Sequence, residues 1–404
     1  MKRVLAVLVD AFRYDYLSQR HTPFLYSLAG THVPLRPILG YSDAIRATIF
    51  TGTYPTAHNY WMGYRYSPET SPFGVFRPFA FVDRLPAAIR PWAKLAIGKA
   101  AERLLGGRRT IRNTPIRIAH LFDYTLQGDF TSPNVFGHIP TVFDVLRGCG
   151  QRFSYIDSAK LGWRYFWHAA SAEERLLEEV STVDPEAALV FVYLHYLDNT
   201  AHRRGTASPA FLRELSAVDS LIGKIVARAE EKLGACEVLI FSDHGMADAT
   251  SYIDFEGLMR EPDFGRDYFF VLDSTMVRLW YLDDASRERV RTRLDGTGYG
   301  HFLTGEDKRR LHLDFEHRYY GDDIYLVDPP LNIYPNSISL LKPLAMHAYH
   351  PELESQKGIF IFRGGEGRLE LRDGFVHLVD IVPTLLRLLE LGVPETVEGT
   401  SLVR

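Results

Sequence analysis

Four short apolar runs punctuate the chain, at 4–9, 188–194, 238–241 and 359–362, each nearly free of polar residues. Runs of this length without alternation predict strands buried on both faces, as in a parallel sheet. Between them the period changes. Phe211, Leu212, Leu215, Val218, Leu221, Ile222 and Ile225 recur at helical intervals within 209–233, which predicts a long helix with one apolar stripe. Strand and helix patterns in alternation predict a doubly wound α/β core.

Two stretches break that rhythm. Residues 59–140 are crowded with prolines and aromatics such as Tyr60, Trp61, Tyr64 and Tyr66, and residues 249–343 set strand-like pieces at 276–282 and 324–327 among charged loops. Core-like sequence resumes after each. Both are therefore expected to be insertions on one α/β domain spanning 1–404, without internal repeats or low-complexity tracts.

Composition adds mainly exclusions. At 46% hydrophobic and 24% charged residues, the chain is ordinary for a soluble globular protein. A net charge of -4 gives no bulk electrostatic reason to expect a nucleic-acid polymer as partner. Cys149 and Cys236 cannot build a disulfide framework and are expected to be buried. The start, Met1-Lys2-Arg3 before an apolar run, mimics a leader, but the run stops at Asp10 and reads better as a first strand. Residues 87–105 carry Arg90, Lys94, Lys99, Glu102 and Arg103, so they form an amphipathic helix at most and no transmembrane segment. A cytoplasmic enzyme is the expectation.

The candidate chemistry sits where the apolar runs end. Asp243-His244 follows 238–241, with Gly245 allowing a sharp turn, and Asp10 follows 4–9 in the same way. Carboxylate and imidazole at strand ends face the rim where open α/β sheets bind ligands, although an Asp there also serves as a helix cap. Asp198 and His202 are four residues apart after the 188–194 run, a spacing that puts both on one helical face and lets them grip one ion. The alternative is a capping Asp198 and a solvated His202. His347 and His350 lie in a loop ahead of 359–362 and offer a further nitrogen. Ser42 precedes a helical segment that ends at Gly52. It is either an N-cap or a hydroxyl placed where backbone N–H groups stabilise anionic oxygens.

Taken in order, Asp10, Ser42, Asp198-x-x-x-His202, Asp243-His244 and His347 resemble the alkaline phosphatase superfamily, and within it the type I phosphodiesterase/nucleotide pyrophosphatase family. The carrying segments are Leu8-Val9-Asp10-Ala11-Phe12-Arg13-Tyr14-Asp15-Tyr16, Thr51-Gly52-Thr53-Tyr54-Pro55-Thr56-Ala57-His58, Ser242-Asp243-His244-Gly245-Met246 and His347-Ala348-Tyr349-His350-Pro351. The closing stretch from Val379 to Leu386 is also similar. The resemblance implies an alkaline-phosphatase-like core with a largely parallel central sheet flanked by helices and carrying cap insertions. It implies two divalent metal ions, zinc first and Mn²⁺ or Fe²⁺ as alternatives. One ion would be held by Asp10, Asp243, His244 and Ser42, the last also acting as nucleophile. The other would be held by Asp198, His202 and His347. The implied activity is hydrolysis of a phosphodiester or pyrophosphate bond in a small nucleotide-type substrate.

The chain departs from the family pattern in three places. Ser42 stands where Thr is common, Ile45 replaces an Asn that contacts phosphate, and Arg46 follows it. Arg46 is either a bidentate phosphate donor or half of a structural ion pair. Ala44 occupies the place where sulfatases carry the Pro of their maturation motif, which argues against a sulfatase. Trp61 and Tyr64 are candidates for a stacking wall, or equally for the cap's own core. His350 competes with His347 as ligand, His377 lines the site or caps the last helix, and His58 packs in the turn after Pro55. A phosphomonoesterase or phosphotransferase is the runner-up function, and a metal-stabilised, non-catalytic protein is a third.

Overall fold

The computed structural model describes residues 2–28, 32–86, 88–110, 113–126, 128–161, 169–259, 264–364 and 369–403. The chain divides into two compact units, one formed by Met1–Trp61, Gln127–Asp248 and His350–Arg404, the other by Met62–Leu126 and Ala249–Tyr349.

The first unit is built on a seven-stranded sheet. Its strands in chain order are β1 (Val4–Val9), β2 (His32–Arg36), β3 (Arg152–Asp157), β4 (Ala187–Leu194), β5 (Glu237–Phe241), β6 (Gly358–Arg363) and β7 (Val376–His377). Across the sheet they run β7-β2-β6-β5-β1-β4-β3. The four strands expected from apolar runs are the four central ones, fully buried along β1 and β4 because helices cover both faces. β2, β3 and β7 escape the apolar-run criterion. The first two mix His, Pro, Arg and Ser with apolar residues, as suits positions near the margin, and β7 is two residues long.

One strand runs against the parallel expectation. β6 pairs antiparallel with both β5 and β2. The reason is local. The chain enters β6 beside the carboxyl end of β5, where Ser242 N–H donates to the Ile359 carbonyl at 2.9 Å and the Ile359 N–H donates to Ser242 Oγ at 3.0 Å. Entering there, β6 has only the antiparallel direction open.

The helices follow their sequence signals. α1 (Ser42–Thr51) ends at Gly52, whose φ of 68° suits a residue without Cβ. α2 is Tyr196–Arg204, and α3 is Pro209–Leu233, opened by Ser208 accepting from the Phe211 N–H at 3.1 Å with Pro209 in the first turn. α4 (Ile381–Leu388) buries Ile381, Val382, Leu385 and Leu386. Around Phe50 of α1 the core is aromatic: Phe143, Tyr155 and Phe191 surround it with ring centroids 5.2, 5.8 and 5.2 Å away. Burying the Phe50 side chain contributes about 2–3 kcal/mol and pins α1 to the sheet. The expected burial of both cysteines is corrected: Cys149 is exposed at the end of the Val142–Gly148 helix, and Cys236 is only partly covered at the start of β5.

The second unit contains a four-stranded antiparallel sheet, in spatial order Tyr268–Leu272, Met276–Tyr281, Asp323–Val327 and Gly300–Phe302. The helix Arg90–Leu105 lies on a run of 3₁₀ turns over Pro72–Arg84, burying Phe73, Phe76 and Val82 with Ala93, Ile97 and Ala101 packed against them. The two sequence segments of this unit are joined by a bidentate pair, with Arg90 Nη1 and Nη2 at 2.8 and 2.7 Å from the Glu256 oxygens. Tyr66 stacks on Phe269 with centroids 5.7 Å apart.

Candidate metal centre and active site

The register of the sheet brings the first cluster together. Leu8 of β1 stands opposite Tyr193 of β4 and Phe241 of β5. Strands in register end together, so Asp10 and Asp243, each two positions past that row, meet at the carboxyl rim. Asp10, Asp243 and His244 place ligand atoms within 4.8 Å of one another, all buried. His244 Nε2 is 3.2 Å from Asp10 Oδ1 and 3.4 Å from Asp243 Oδ2. Ser42 Oγ is 3.3 Å from the same nitrogen. Ser42 is the first helical residue, with Tyr41 in the capping position, so the helix start aims this hydroxyl at the cluster.

The hydrogen bonds around the cluster leave its donors facing inward. Asp243 Oδ1 accepts from the N–H groups of Ala11 at 3.2 Å and His244 at 3.0 Å. Asp10 Oδ2 accepts from the Tyr193 hydroxyl. His244 Nδ1 is 2.8 Å from the Gly245 carbonyl, which can only accept, so Nδ1 carries a proton and Nε2 is the nitrogen turned toward the cluster. Asp10 Oδ1 and Asp243 Oδ2 take no well-directed hydrogen bond among the described residues. Electrostatics agree with the geometry. Burial and the Asp10 carboxylate raise the Asp243 pKa. Burial opposes charging His244, yet the Asp243 and Asp10 carboxylates outweigh it and raise the imidazole. Two buried carboxylates beside a single imidazole form a site short of positive charge. The donor set, carboxylate oxygens with one imidazole nitrogen and a hydroxyl, fits a divalent cation.

Gly245 is required here. A Cβ on it would lie 2.3 Å from the Ser355 carbonyl oxygen, because its N–H donates to the Gln356 carbonyl at 2.7 Å. Asp198 and His202 sit one turn apart on α2, His202 Nε2 lying 3.0 Å from Asp198 Oδ1, as their spacing predicts. Asp198 also places a carboxylate oxygen within 4.8 Å of a His244 ring nitrogen. His347 lies in the second unit, buried after the short strand Ala345–Met346 and followed by Ala348 at φ 65°.

The remaining candidates are placed as follows. Arg46 is buried on α1 with its guanidinium 4.8 Å from the Tyr193 ring centroid and 5.2 Å from that of Phe130. Its Nη1 stands 3.9 Å from Asp157 Oδ2. Trp61 is fully buried, and its indole N–H donates to the Leu39 carbonyl at 2.6 Å. It braces the Leu39–Gly40 turn that leads into Ser42 and has no face open to a ring. Tyr64 packs within the second unit, its hydroxyl donating to the Thr110 carbonyl at 2.6 Å and its ring 5.3 Å from that of Tyr124. Trp61 is buried and Tyr64 half-buried, each packed against neighbours of its own unit. His58 is buried in the turn after Pro55, His350 Nδ1 accepts from the Glu352 N–H at 3.3 Å, and His377 Nε2 is 3.1 Å from Asp373.

Sequence reasoning passed over Tyr193. The signal was present: a tyrosine in an otherwise aliphatic buried strand needs a partner for its hydroxyl. Standing opposite Leu8, it shares a sheet face with Asp10, two residues on.

Several known proteins resemble the chain. Residues 4–318 match the family model described as type I phosphodiesterase/nucleotide pyrophosphatase. An uncharacterized pyrophosphatase/phosphodiesterase of Schizosaccharomyces pombe is 25% identical over 260 residues, covering 61% of this chain and 45% of the relative. The chain thus spans about half the length of the curated relative it matches. Among solved structures, murine ectonucleotide pyrophosphatase/phosphodiesterase 5 superposes with a TM-score of 0.68 at 16% identity, and the human protein with 0.66 at 17%, each covering 100% of both chains. An inactive variant of the murine protein in complex with AMP gives 0.65 at 16%, again covering 100% of both chains. These likenesses share the alkaline-phosphatase-like α/β fold. With the family model matching most of its length, the chain belongs to the type I phosphodiesterase/nucleotide pyrophosphatase family.

Proposed function

We propose that the protein is a two-metal hydrolase of phosphodiester or pyrophosphate bonds in small nucleotide-type substrates, working through a covalent Ser42 intermediate. The observation that carries this reading is Ser42 Oγ, 3.3 Å from His244 Nε2 above the buried Asp10–Asp243–His244 cluster. Family membership supports the bond type, and the AMP complex of the murine relative supports a nucleotide as substrate.

In this reading Asp10, Asp243 and His244 would hold one cation with Ser42, while Asp198 and His202, with His347 from the family pattern, would hold the second. Zinc suits the mixed donors best. Such ions, when bound, supply Lewis-acid stabilisation of phosphoryl oxygens and a lowered hydroxyl pKa. The rest belongs to the chain. Ser42 Oγ forms a bond to phosphorus as the opposite P–O bond breaks, and its proton passes through solvent to the departing alcohol or phosphate oxygen. Water then cleaves the Ser42 ester and restores the hydroxyl. The start of α1 places positive helix-dipole potential beside the developing anion. The His244 Nδ1–Gly245 contact fixes the imidazole orientation throughout.

The segments 59–140 and 249–343 are read as cap insertions on this catalytic domain, and the working location as the cytoplasm. Among the described residues no helix is long and apolar enough to cross a membrane.

Turnover of bis-p-nitrophenyl phosphate and p-nitrophenyl phosphate with added Zn²⁺ or Mn²⁺ tests the proposal. We expect diester turnover that falls by at least about 10³-fold in Ser42→Ala. Undiminished turnover in that variant would overturn the mechanism. The phosphomonoesterase alternative turns on Arg46. Its guanidinium already packs on Tyr193 and Phe130 near Asp157, which favours the diester reading. Arg46→Ala lowering monoester turnover more than diester turnover would favour the alternative.

A further inference from the structure

A buried pair of polar residues lies beside the ligand-bearing rim, outside the donor sets described above. Strand β3 ends at Asp157, which stands opposite Tyr193 of β4, so the segments that follow the two strands leave the sheet side by side. Ser158 begins a 3₁₀ turn over Ser158–Lys160, and His195 immediately precedes α2. Ser158 Oγ is 2.7 Å from His195 Nδ1 and accepts from the His195 backbone N–H at 3.2 Å. The two residues are 4% and 3% exposed, so water does not compete for either bond.

The Ser158 hydroxyl is not spent on its own turn. That turn is capped by Asp157, whose Oδ1 accepts from the Ala159 N–H at 2.9 Å. One serine oxygen therefore grips the neighbouring segment at two points, backbone and ring.

What it grips is the start of α2. His195 occupies the capping position of that helix, and its carbonyl accepts from the Asn199 N–H at 3.2 Å, yet its side chain makes no capping bond. A helix start without a side-chain cap is prone to fray in its first turn. Asp198 lies in that first turn, and its carboxylate places an oxygen within 4.8 Å of a His244 ring nitrogen. His202 lies in the last turn, and the buried Leu197, Thr200 and Ala201 hold the body of the helix. The direction of Asp198 thus depends most on how His195 is held.

We infer that Ser158, acting through His195, is a positioning residue for the second cation site: it fixes the first turn of α2 so that the Asp198 carboxylate faces the first cluster. This inference rests on the two-cation reading given above.

Zinc titration of the chelator-treated full chain, in competition with a chromophoric chelator, tests it. The parent should take up two Zn²⁺ with two separate constants, and Asp198→Asn identifies the one that belongs to α2. Ser158→Ala should weaken that constant by about tenfold, the lower end of what partners of metal ligands contribute, and leave the other in place. His195→Phe keeps a buried ring but loses the nitrogen, so the same constant should fall by less, the bond from the backbone N–H surviving. A parent that takes up a single Zn²⁺ overturns the two-cation reading and the inference with it. Two constants unchanged in both variants overturn the inference alone. Equal weakening of both constants in Ser158→Ala would be a general loss of structure and overturns it too.

Discussion

The hydroxyl of Tyr193, in β4, donates to Asp10 Oδ2 at the end of β1. This bond takes up one carboxylate oxygen and leaves Oδ1 turned toward His244 Nε2 at 3.2 Å. The Arg46 guanidinium lies over the ring of the same tyrosine, so helix α1, strand β4 and the cluster are mechanically joined.

Removing that hydroxyl should loosen the first cation site. Tyr193→Phe keeps the ring and its packing but frees Asp10 to rotate. Partners of metal ligands are worth roughly 10–100-fold in affinity. Zinc affinity, measured by competition with a chromophoric chelator, should fall by that factor. Unchanged affinity would reduce Tyr193 to packing.

Metal removal should destabilise the protein through the same cluster. If the Asp10–Asp243–His244 cluster holds a cation as proposed, its two buried carboxylates, within 4.8 Å of each other, would lose their counter-charge on chelation. A cation present at one hundred times its dissociation constant adds about 2.7 kcal/mol. Chelator-treated protein should therefore melt at lower temperature and recover on adding Zn²⁺. Asp243→Asn should show little recovery. A variant that recovers like the parent would remove Asp243 from the ligand set.

His58 should give the fold a defined acid sensitivity. Its Nδ1 accepts from the Tyr60 N–H at 3.1 Å, so the proton sits on Nε2, which donates to Thr48 Oγ1 at 3.1 Å. Burial lowers its pKa to about 3 from the ordinary 6.5. The folded state thus keeps His58 neutral while the unfolded chain gains a proton below pH 6.5. Stability from this group is complete above that pH and declines as pH falls toward 3, with a slope near 1.4 kcal/mol per pH unit. His58→Gln should be less stable at pH 8 and lose this part of the slope in denaturant titrations between about pH 6 and 4.5. An equal slope in both proteins would refute the assignment.

Gly245→Ala should be among the most damaging small substitutions. The added methyl would meet backbone, with the Ser355 carbonyl oxygen at 2.3 Å and the Lys357 carbonyl oxygen at 2.9 Å. Relief requires moving the segment that feeds β6, at a cost of about 3 kcal/mol or more. Urea midpoints would show the loss, and a parent-like midpoint would mean the segment yields freely.

Much of the fold and the first cluster is legible in the sequence. Strands buried on both faces must be continuously apolar, so the central four announce themselves, and Asp10 and Asp243-His244 stand out as the first polar residues after such runs. Spacing alone placed Asp198 and His202 on one helical face, because the helical period is local. The marginal strands β2 and β3 were not legible, since His, Pro and Arg in partly solvated positions carry no clear periodicity. Burial of Cys149 was a wrong inference from residue type, which says nothing about the end of a surface helix.

What the sequence determined by itself is whatever rests on local period and residue chemistry: the α/β alternation, α3 with its apolar stripe, and the donor types at the strand ends. What tertiary structure alone decided is which distant residues meet. The antiparallel β6 follows from where the chain re-enters the sheet, and the Tyr193–Asp10 bond from a register that sets Tyr193 opposite Leu8. The inward turn of Trp61 follows from its bond to the Leu39 carbonyl. Register, strand direction and side-chain burial are long-range properties, settled by packing among segments far apart in the chain, and no local window of sequence contains them.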